Sequence, residues 1–445
     1  MAEKQLFDTD HVVKTYFKLA LPVVFSMVIT LIYNLADTYF IAQTNDAMLV
    51  AGVSICGPVF TVLMAIGNIF GQGGSSLIAR ILGSGDRDSS RRISSFCFWA
   101  ALAVGIVIAV PLMLLHRPML ALLGASDQTF APAKDYYLTI VGGAPLVILS
   151  FIHTNLMRSE GMSTRSMICT VSGSVLNIIL DPIFISVLGW GAFGAALATV
   201  LGYALTDVIA LVFVVRKSAV LSVSPRGCRV RRPEVSQIFS VGFAAALTNI
   251  ASSVCMVFMN QFLLPYGDEK IAALGIVMKV TMIVMLILVG FSFGGVPLFG
   301  FLYGSRQWAT FRRLLRFCTL FLCALAAVES AAVFFLAPQF MAVFIDSPGI
   351  IEDGALIMRW QVAGMVFCAI TLLYTCVFQA SGKPVPALLM SLSRQGLLFI
   401  VVFLIATAIA QYQGFLCAQF IAEVLSAALA LTLYKITFAK ESDAS

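Results

Sequence analysis

Apolar residues in this chain fall in long runs, not in the spaced stripe of a soluble amphipathic helix. Twelve runs can be marked between polar or turn residues. They are 19–43, 48–79, 93–115, 133–157, 165–188 and 191–215, then 235–264, 271–303, 314–337, 355–380, 385–410 and 413–436. About 20 apolar residues at 1.5 Å rise each cross a bilayer, so each run predicts one span. The runs at 48–79 and 271–303 are longer than that and predict helices that tilt or extend past the membrane. Composition agrees: the chain is 60% apolar and 11% charged, with mean hydropathy +0.98. The fold class expected is an all-α polytopic membrane protein of 12 transmembrane helices, which leaves no support for a soluble binding or scaffold role.

Charge then sets the orientation. With the N-terminus inside, the inner segments carry 22 lysines and arginines, while the outer loops hold only Arg117, Lys134 and Lys270. A wrong helix count would scramble that asymmetry. Both termini are therefore expected in the cytoplasm, in a multi-pass protein of the cell inner (cytoplasmic) membrane. The net charge of +6 reflects this topology and implies no nucleic acid. The ten cysteines are scattered singly without a CxxC pair, and His11, His116 and His153 lack metal-ligand spacing. They suggest packing residues rather than a disulfide frame or a metal centre, and no cofactor.

A repeat is visible at one constant offset along the chain. Gly73-Gly74 meets Gly294-Gly295, Gly83-Ser84 meets Gly304-Ser305, Arg91-Arg92 meets Arg312-Arg313, and Gly161 meets Gly382. Duplication predicts two six-helix lobes, residues 1–217 and 234–445, joined by a basic cytoplasmic linker at 218–233. Six spans is an even number, so the lobes insert in the same orientation, with a substrate cavity expected between them. Because the duplication supplies both halves of that cavity, a monomer suffices.

Charged side chains inside spans carry the candidate chemistry, since an ion at membrane depth is costly. Asp37 lies in the first span, with Tyr33 and Asn34 four and three residues before it, on one helix face. In the fifth span Asn177 precedes Asp181 by four residues, and Pro182 frees a backbone carbonyl nearby. Two carboxylates, an amide and a loosened backbone form an oxygen-rich pocket, suited to a shared proton or a bare sodium ion. Asp207, with Thr199 two turns earlier, is either part of the same chemistry or a hydroxyl partner in a helix contact. Arg158 and Glu160 suggest a salt bridge at the inner mouth. Lys279 and Glu329 are expected in the interior of the second half. Met256, Met259, Met278 and Met282 could line a cavity for apolar ligands, although core or lipid-facing packing is the preferred reading for most of them.

Taken together, Tyr33-Asn34-Leu35-Ala36-Asp37-Thr38, the Gly-Gln-Gly-Gly stretch at 71–74, Leu156-Met157-Arg158-Ser159-Glu160-Gly161, Leu176 to Phe184 and Gly191 to Ala196 are specific. In them the chain resembles the multidrug and toxic compound extrusion (MATE) family over essentially its whole length. The resemblance implies two six-helix bundles in a V and export of organic cations in exchange for H⁺ or Na⁺. Its DinF-like or MepA-like branch implies an ion site at Tyr33, Asp37, Asn177, Asp181 and Thr199, with Asn155 a further position. A sodium ion would be held by Asp37, Asn177, Asp181 and Thr199; Asn34, Asn155, Asp207 and the four methionines are candidates for the substrate cavity. The NorM-like branch uses carboxylates in the seventh and tenth spans, and residues 242–264 and 360–379 contain none.

Two rival readings make different demands. A flippase of a lipid-linked precursor, in the same superfamily, would need several arginines in a central cavity to hold pyrophosphate. Only Lys279, Arg359 and Arg394 lie within spans. An intramembrane aspartyl protease could use Asp37 and Asp181, but a six-plus-six duplication with an Asn–Asp pair fits that poorly. The expected activity is transport, not catalysis.

Overall fold

The computed structural model describes residues 7–394 and 396–442. Helices α1 (Val12–Ala42), α2 (Ala47–Ile55), α3 (Gly57–Gly83), α4 (Arg87–Leu114), α5 (His116–Leu122), α6 (Phe130–Gly142), α7 (Ala144–Ser159), α8 (Ser163–Asp181) and α9 (Gly191–Lys217) form the first repeat. Helices α10 (Arg232–Leu263), α11 (Asp268–Gly294), α12 (Val296–Gly304), α13 (Trp308–Ala342), α14 (Pro348–Ala363), α15 (Met365–Ala380), α16 (Pro384–Arg394) and α17 (Leu397–Ser442) form the second. Among the described residues there is no strand. Twelve spans result when α2–α3, α6–α7, α11–α12 and α14–α15 each make one and α16 is counted with the first part of α17. The long helix α17 is two spans, because Gln411 takes the non-helical pair φ 47°, ψ −121° between the last two apolar runs.

Prolines punctuate the spans as the peptide chemistry requires. Pro22 and Pro111 lie inside α1 and α4, while Pro58, Pro145 and Pro297 open α3, α7 and α12 just after a break. The fourth span bends by 51° between α6 and α7, and the tenth by 46° between α14 and α15. The glycines at these bends, Gly143 and Gly364, occupy equivalent positions of the two repeats, so the duplication reaches the backbone as well as the sequence. Repeat-related Ser84 and Ser305 likewise cap the ends of α3 and α12.

Contacts divide the chain into two units. The first holds Leu21–Phe243, and the second holds Asp8–Ala20 and the chain from Ala244 on. The division falls inside helices, next to Pro22 in α1 and to Gly242 in α10, rather than at the linker. Within the second unit Tyr16 donates to the Phe291 carbonyl at 3.0 Å. Within the first, α3 and the start of α10 approach through glycine: a Cβ on Gly73 would run into the Ile238 carbonyl, and one on Gly242 into the Ile69 carbonyl. Gly67 and Gly71 give α3 the same intimacy with Phe151 of α7.

Gly242→Ala is therefore expected to lose about 1–3 kcal/mol of stability, the cost of overpacking a close backbone contact. A fluorescence-detected melt of the detergent-solubilised protein measures it, and an unchanged melting temperature would show that α10 does not rest on α3 there.

Candidate functional site

Asp181 closes α8, where the following proline cannot donate a hydrogen bond and residues Pro182–Val187 relax into a wider π turn. Its side chain is fully buried, and Asn177, one turn earlier, is 2% exposed. Helix α9 lies against α8 because both carry glycine at the contact. A Cβ on Gly202 would sit 2.8 Å from the Gly173 carbonyl. That approach brings Thr199 of α9 to Asn177. With the amide oriented to satisfy both ends, its nitrogen donates to Asp181 Oδ2 at 3.2 Å and its oxygen accepts from the Thr199 N–H at 3.1 Å. The Thr199 hydroxyl donates to the Ala195 carbonyl at 3.1 Å.

Asp37 of α1 lies within Coulomb range of Asp181. Tyr33 and Tyr136 lie within range of Asp37, and Tyr203 of α9 faces Tyr33. Asp37 Oδ1 is buried without a hydrogen-bond partner. Among the described residues no lysine, arginine or histidine forms an ion pair with either carboxylate. Beside them is a cavity of about 100 Å³, lined by Tyr33, Asn177, Thr199, Tyr203 and a band of hydroxyls that includes Thr30, Ser150, Thr154, Thr170 and Thr206. Such a space, with a band of hydroxyls set among largely apolar walls and no basic side chain in its lining, has room for water and a small cation or a proton.

Of the residues expected from sequence, Asp37, Asp181, Asn177, Tyr33 and Thr199 come together. Asn34 does not join them: it is exposed, and its carbonyl accepts from Thr38 at 2.9 Å. Asn155 turns onto its own helix, donating to the Phe151 carbonyl at 2.6 Å. Asp207 pairs with His153 at 3.1 Å, both buried, instead of binding a hydroxyl. Arg158 and Glu160 do not bridge each other. Arg158 donates to the Ser166 hydroxyl at 3.3 Å, and Glu160 accepts from the Ala219 N–H at 2.8 Å. Burial raises the Glu160 carboxyl above its ordinary value, opposed by hydrogen bonds from Ser218 and Ala219.

In the second unit Lys279 is exposed, against the expectation of an interior pair, and both Glu329 oxygens are buried without a partner. Met259 is buried, Met256 and Met278 are half-buried and Met282 is 50% exposed; none lines the first-unit cavity. Tyr136, Tyr203 and the His153–Asp207 pair escaped sequence reasoning. Spacing offered a clue for one of them: Thr199, Tyr203 and Thr206 repeat at helical intervals along one face of α9. Nothing local announces that His153 and Asp207, on helices far apart in the chain, will meet.

A family model described as MatE matches residues 22–183 and 244–405, one stretch in each repeat. The chain belongs to the MatE family. The multidrug export protein MepA of Staphylococcus aureus (strain NCTC 8325 / PS 47) is 29% identical over 435 residues, covering 97% of this chain and 96% of MepA. MepA of Staphylococcus saprophyticus matches to the same extent. Among solved structures, MATE in the bent conformation superposes with a TM-score of 0.91 at 22% identity, covering 97% of each chain. MATE in the straight conformation gives 0.92 at 22% identity over 100% of both chains. These likenesses establish the twelve-helix, two-lobe membrane fold for this MatE protein.

The buried His153–Asp207 pair makes a test of its own. His153→Leu would leave the Asp207 carboxylate alone in an apolar setting, and about 3–5 kcal/mol of stability should be lost. The double replacement His153→Leu/Asp207→Leu should recover most of it. Thermal melts of the three proteins decide; a double variant no better than the single would contradict the pairing.

Proposed function

We propose that this MatE protein is a secondary antiporter, exporting organic cations and other drugs in exchange for H⁺ or Na⁺ taken up at Asp37 and Asp181. The observation that carries this reading is the approach of two carboxylates, an amide and a threonine beside one hydroxyl-banded cavity, with no protein cation paired to either carboxylate among the described residues. A carboxylate withdrawn from water needs a counter-charge, and here only a mobile one is at hand. Asn177 and Thr199 would hold a sodium ion along with the two carboxylates; a proton needs only the carboxylates. The names of the multidrug export relatives support drug-like small molecules as cargo, and export proteins rather than enzymes as kin.

The coupling follows from differential affinity. An inward-negative membrane favours cation uptake by ~2.3 kcal/mol per 100 mV. The ion shifts the conformational equilibrium only as far as its affinity differs between the two states. α1 joins the ion site at Asp37 to Pro22, where an in-helix proline has released a backbone bond and Ser26 donates to its carbonyl at 2.8 Å. Neutralising Asp37 and Asp181 lets α1 bend near Pro22 and loosens the cargo. Solved relatives exist under the titles bent and straight conformation, which supports two states of this kind. The reading includes both termini in the cytoplasm, by the distribution of basic residues, and a monomer as the working unit.

Ethidium efflux from proteoliposomes, driven separately by an imposed pH or sodium gradient, tests the proposal. One gradient should drive export, and Asp37→Asn and Asp181→Asn should each lower the driven rate at least ~100-fold, as for loss of a coupling group. Full activity in either variant would remove the mechanism.

A further inference from the structure

The His153–Asp207 pair stands apart from the ion site, yet it carries two polar atoms that a structural contact would have satisfied. His153 Nδ1 lies 3.1 Å from Asp207 Oδ1, and both side chains are buried. With the carboxylate as acceptor, Nδ1 carries the proton of a neutral ring and Nε2 is its base. Nε2 and Asp207 Oδ2 are each buried without a hydrogen-bond partner. Buried polar atoms are normally paired, because leaving one bare costs about 1–3 kcal/mol. A carboxylate beside a neutral imidazole also leaves one net negative charge in the lobe, which a proton on Nε2 would cancel.

The helices packed around the pair bring it no other counter-charge. α8 places the Cys169 thiol within Coulomb range of Asp207, and α4 lays Phe98 against the imidazole at 5.4 Å between centroids. Cys97 of α4 faces Gly74 of α3. On the pair's own helices, Arg158 is bound to Ser166 and Tyr203 faces Tyr33. Arg165 of α8 lies 5.9 Å from the Phe213 ring, and Tyr136 of α6 is in range of Asp37 instead. Among the described residues no lysine or arginine forms an ion pair with Asp207.

The cavity beside Asn177 and Thr199 extends to this pair. Thr154, next to His153, and Thr206, next to Asp207, both line it. Thr199 and Asp207 are eight residues apart on α9, about 12 Å along the helix. His153 is six residues, about 9 Å, from the end of α7 at Ser159. The lining hydroxyls donate to their own helices: Thr154 to the Ser150 carbonyl at 2.8 Å, Thr170 to the Ser166 carbonyl at 3.2 Å and Thr206 to the Gly202 carbonyl at 3.0 Å. Thr199 does the same toward Ala195. Their oxygens therefore meet the cavity as acceptors, a setting that favours water carrying an extra proton.

We propose, on the antiport reading above with H⁺ as its ion, that His153 and Asp207 form a second proton-binding site. Through it a proton taken up at Asp37 or Asp181 passes on toward the basic end of the lobe. The carboxyl O–H bond breaks at the ion site, water in the cavity carries the proton, and an N–H bond forms at His153 Nε2. Asp207 fixes the ring through Nδ1 and stabilises the imidazolium. Loss of the Nε2 proton to water beyond Ser159 restores the neutral ring and completes the passage.

Two measurements test this. In a His11→Gln/His116→Gln background, purified by a tag without histidine, His153 is the only histidine. Nitrogen-15 NMR of the histidine-labelled full-length protein in nanodiscs then reads that ring alone. It should change from the neutral Nδ1–H tautomer to imidazolium as the pH falls from about 8 to about 5. A ring that keeps one state throughout overturns the proposal. In proteoliposomes, His153→Leu/Asp207→Leu should slow ethidium efflux driven by a pH gradient ~100-fold, the low end for a positioned proton-transfer group. Exchange of tetraphenylphosphonium between the two sides without a gradient moves no proton and should persist. Undiminished driven efflux, or equal loss of exchange and efflux, would mark a structural pair and overturn the proposal. Efflux driven by sodium alone overturns the second proton site and leaves the antiport reading standing. Proton-driven efflux that survives both Asp37→Asn and Asp181→Asn overturns the two together.

Discussion

A negative charge in oil needs company, and among the described residues no basic side chain of the first unit pairs with the carboxylates Asp37 and Asp181. That constraint explains the local architecture better than helix packing alone. Glycine at 173 and 202 lets α8 and α9 touch backbone to backbone, which is what allows Asn177 to span from Asp181 to Thr199. Larger residues would separate the helices and leave the amide without its second partner. The hydroxyl band from Thr199 to Thr206 keeps the neighbouring cavity polar enough for water.

Duplication makes the asymmetry of the chemistry plain. The two repeats share their bends at Gly143 and Gly364 and their caps at Ser84 and Ser305. Yet at the positions equivalent to Asp37, Asn177 and Asp181 the second repeat has Phe258, Leu398 and Val402. There Glu423 is paired internally, with Arg394 donating to it at 3.3 Å and Gln419 to the same oxygen at 3.0 Å, while both Glu329 oxygens are buried without a partner among the described residues. A paired arginine and glutamate have no need of a mobile ion.

Much of this was legible in the sequence because membrane folding writes its rules in one dimension. Run length gave the spans, and the repeat offset gave the duplication, while the contact division falls inside α1 and α10 instead of at the linker. Intramembrane acids singled out Asp37 and Asp181, and i, i+4 spacing paired Asn177 with Asp181. What stayed hidden depends on distance in space rather than along the chain. His153 meets Asp207 only after α7 packs on α9, and Tyr136 reaches the site only after α6 does. Asn34 and Asn155 stand apart from the carboxylates because helical spacing says which side chains share a face, not whether that face meets a partner or solvent. Both asparagines have a suitable position, and neither points its amide at the carboxylates. Arg158 and Glu160 were misjudged for a related reason: Glu160 binds the linker, far along the chain, and Arg158 binds Ser166 across the turn into α8.

The most direct measurement is the number of cations released when cargo binds. Tetraphenylphosphonium added to the purified protein in weakly buffered detergent solution, with proton and sodium activity followed at once, gives that number. Expected is close to one cation released per cargo ion bound by the unaltered protein, and none once Asp181 is replaced by Asn. Release that persists undiminished without the Asp181 carboxylate would contradict the claim that this buried cluster is where ion and cargo compete.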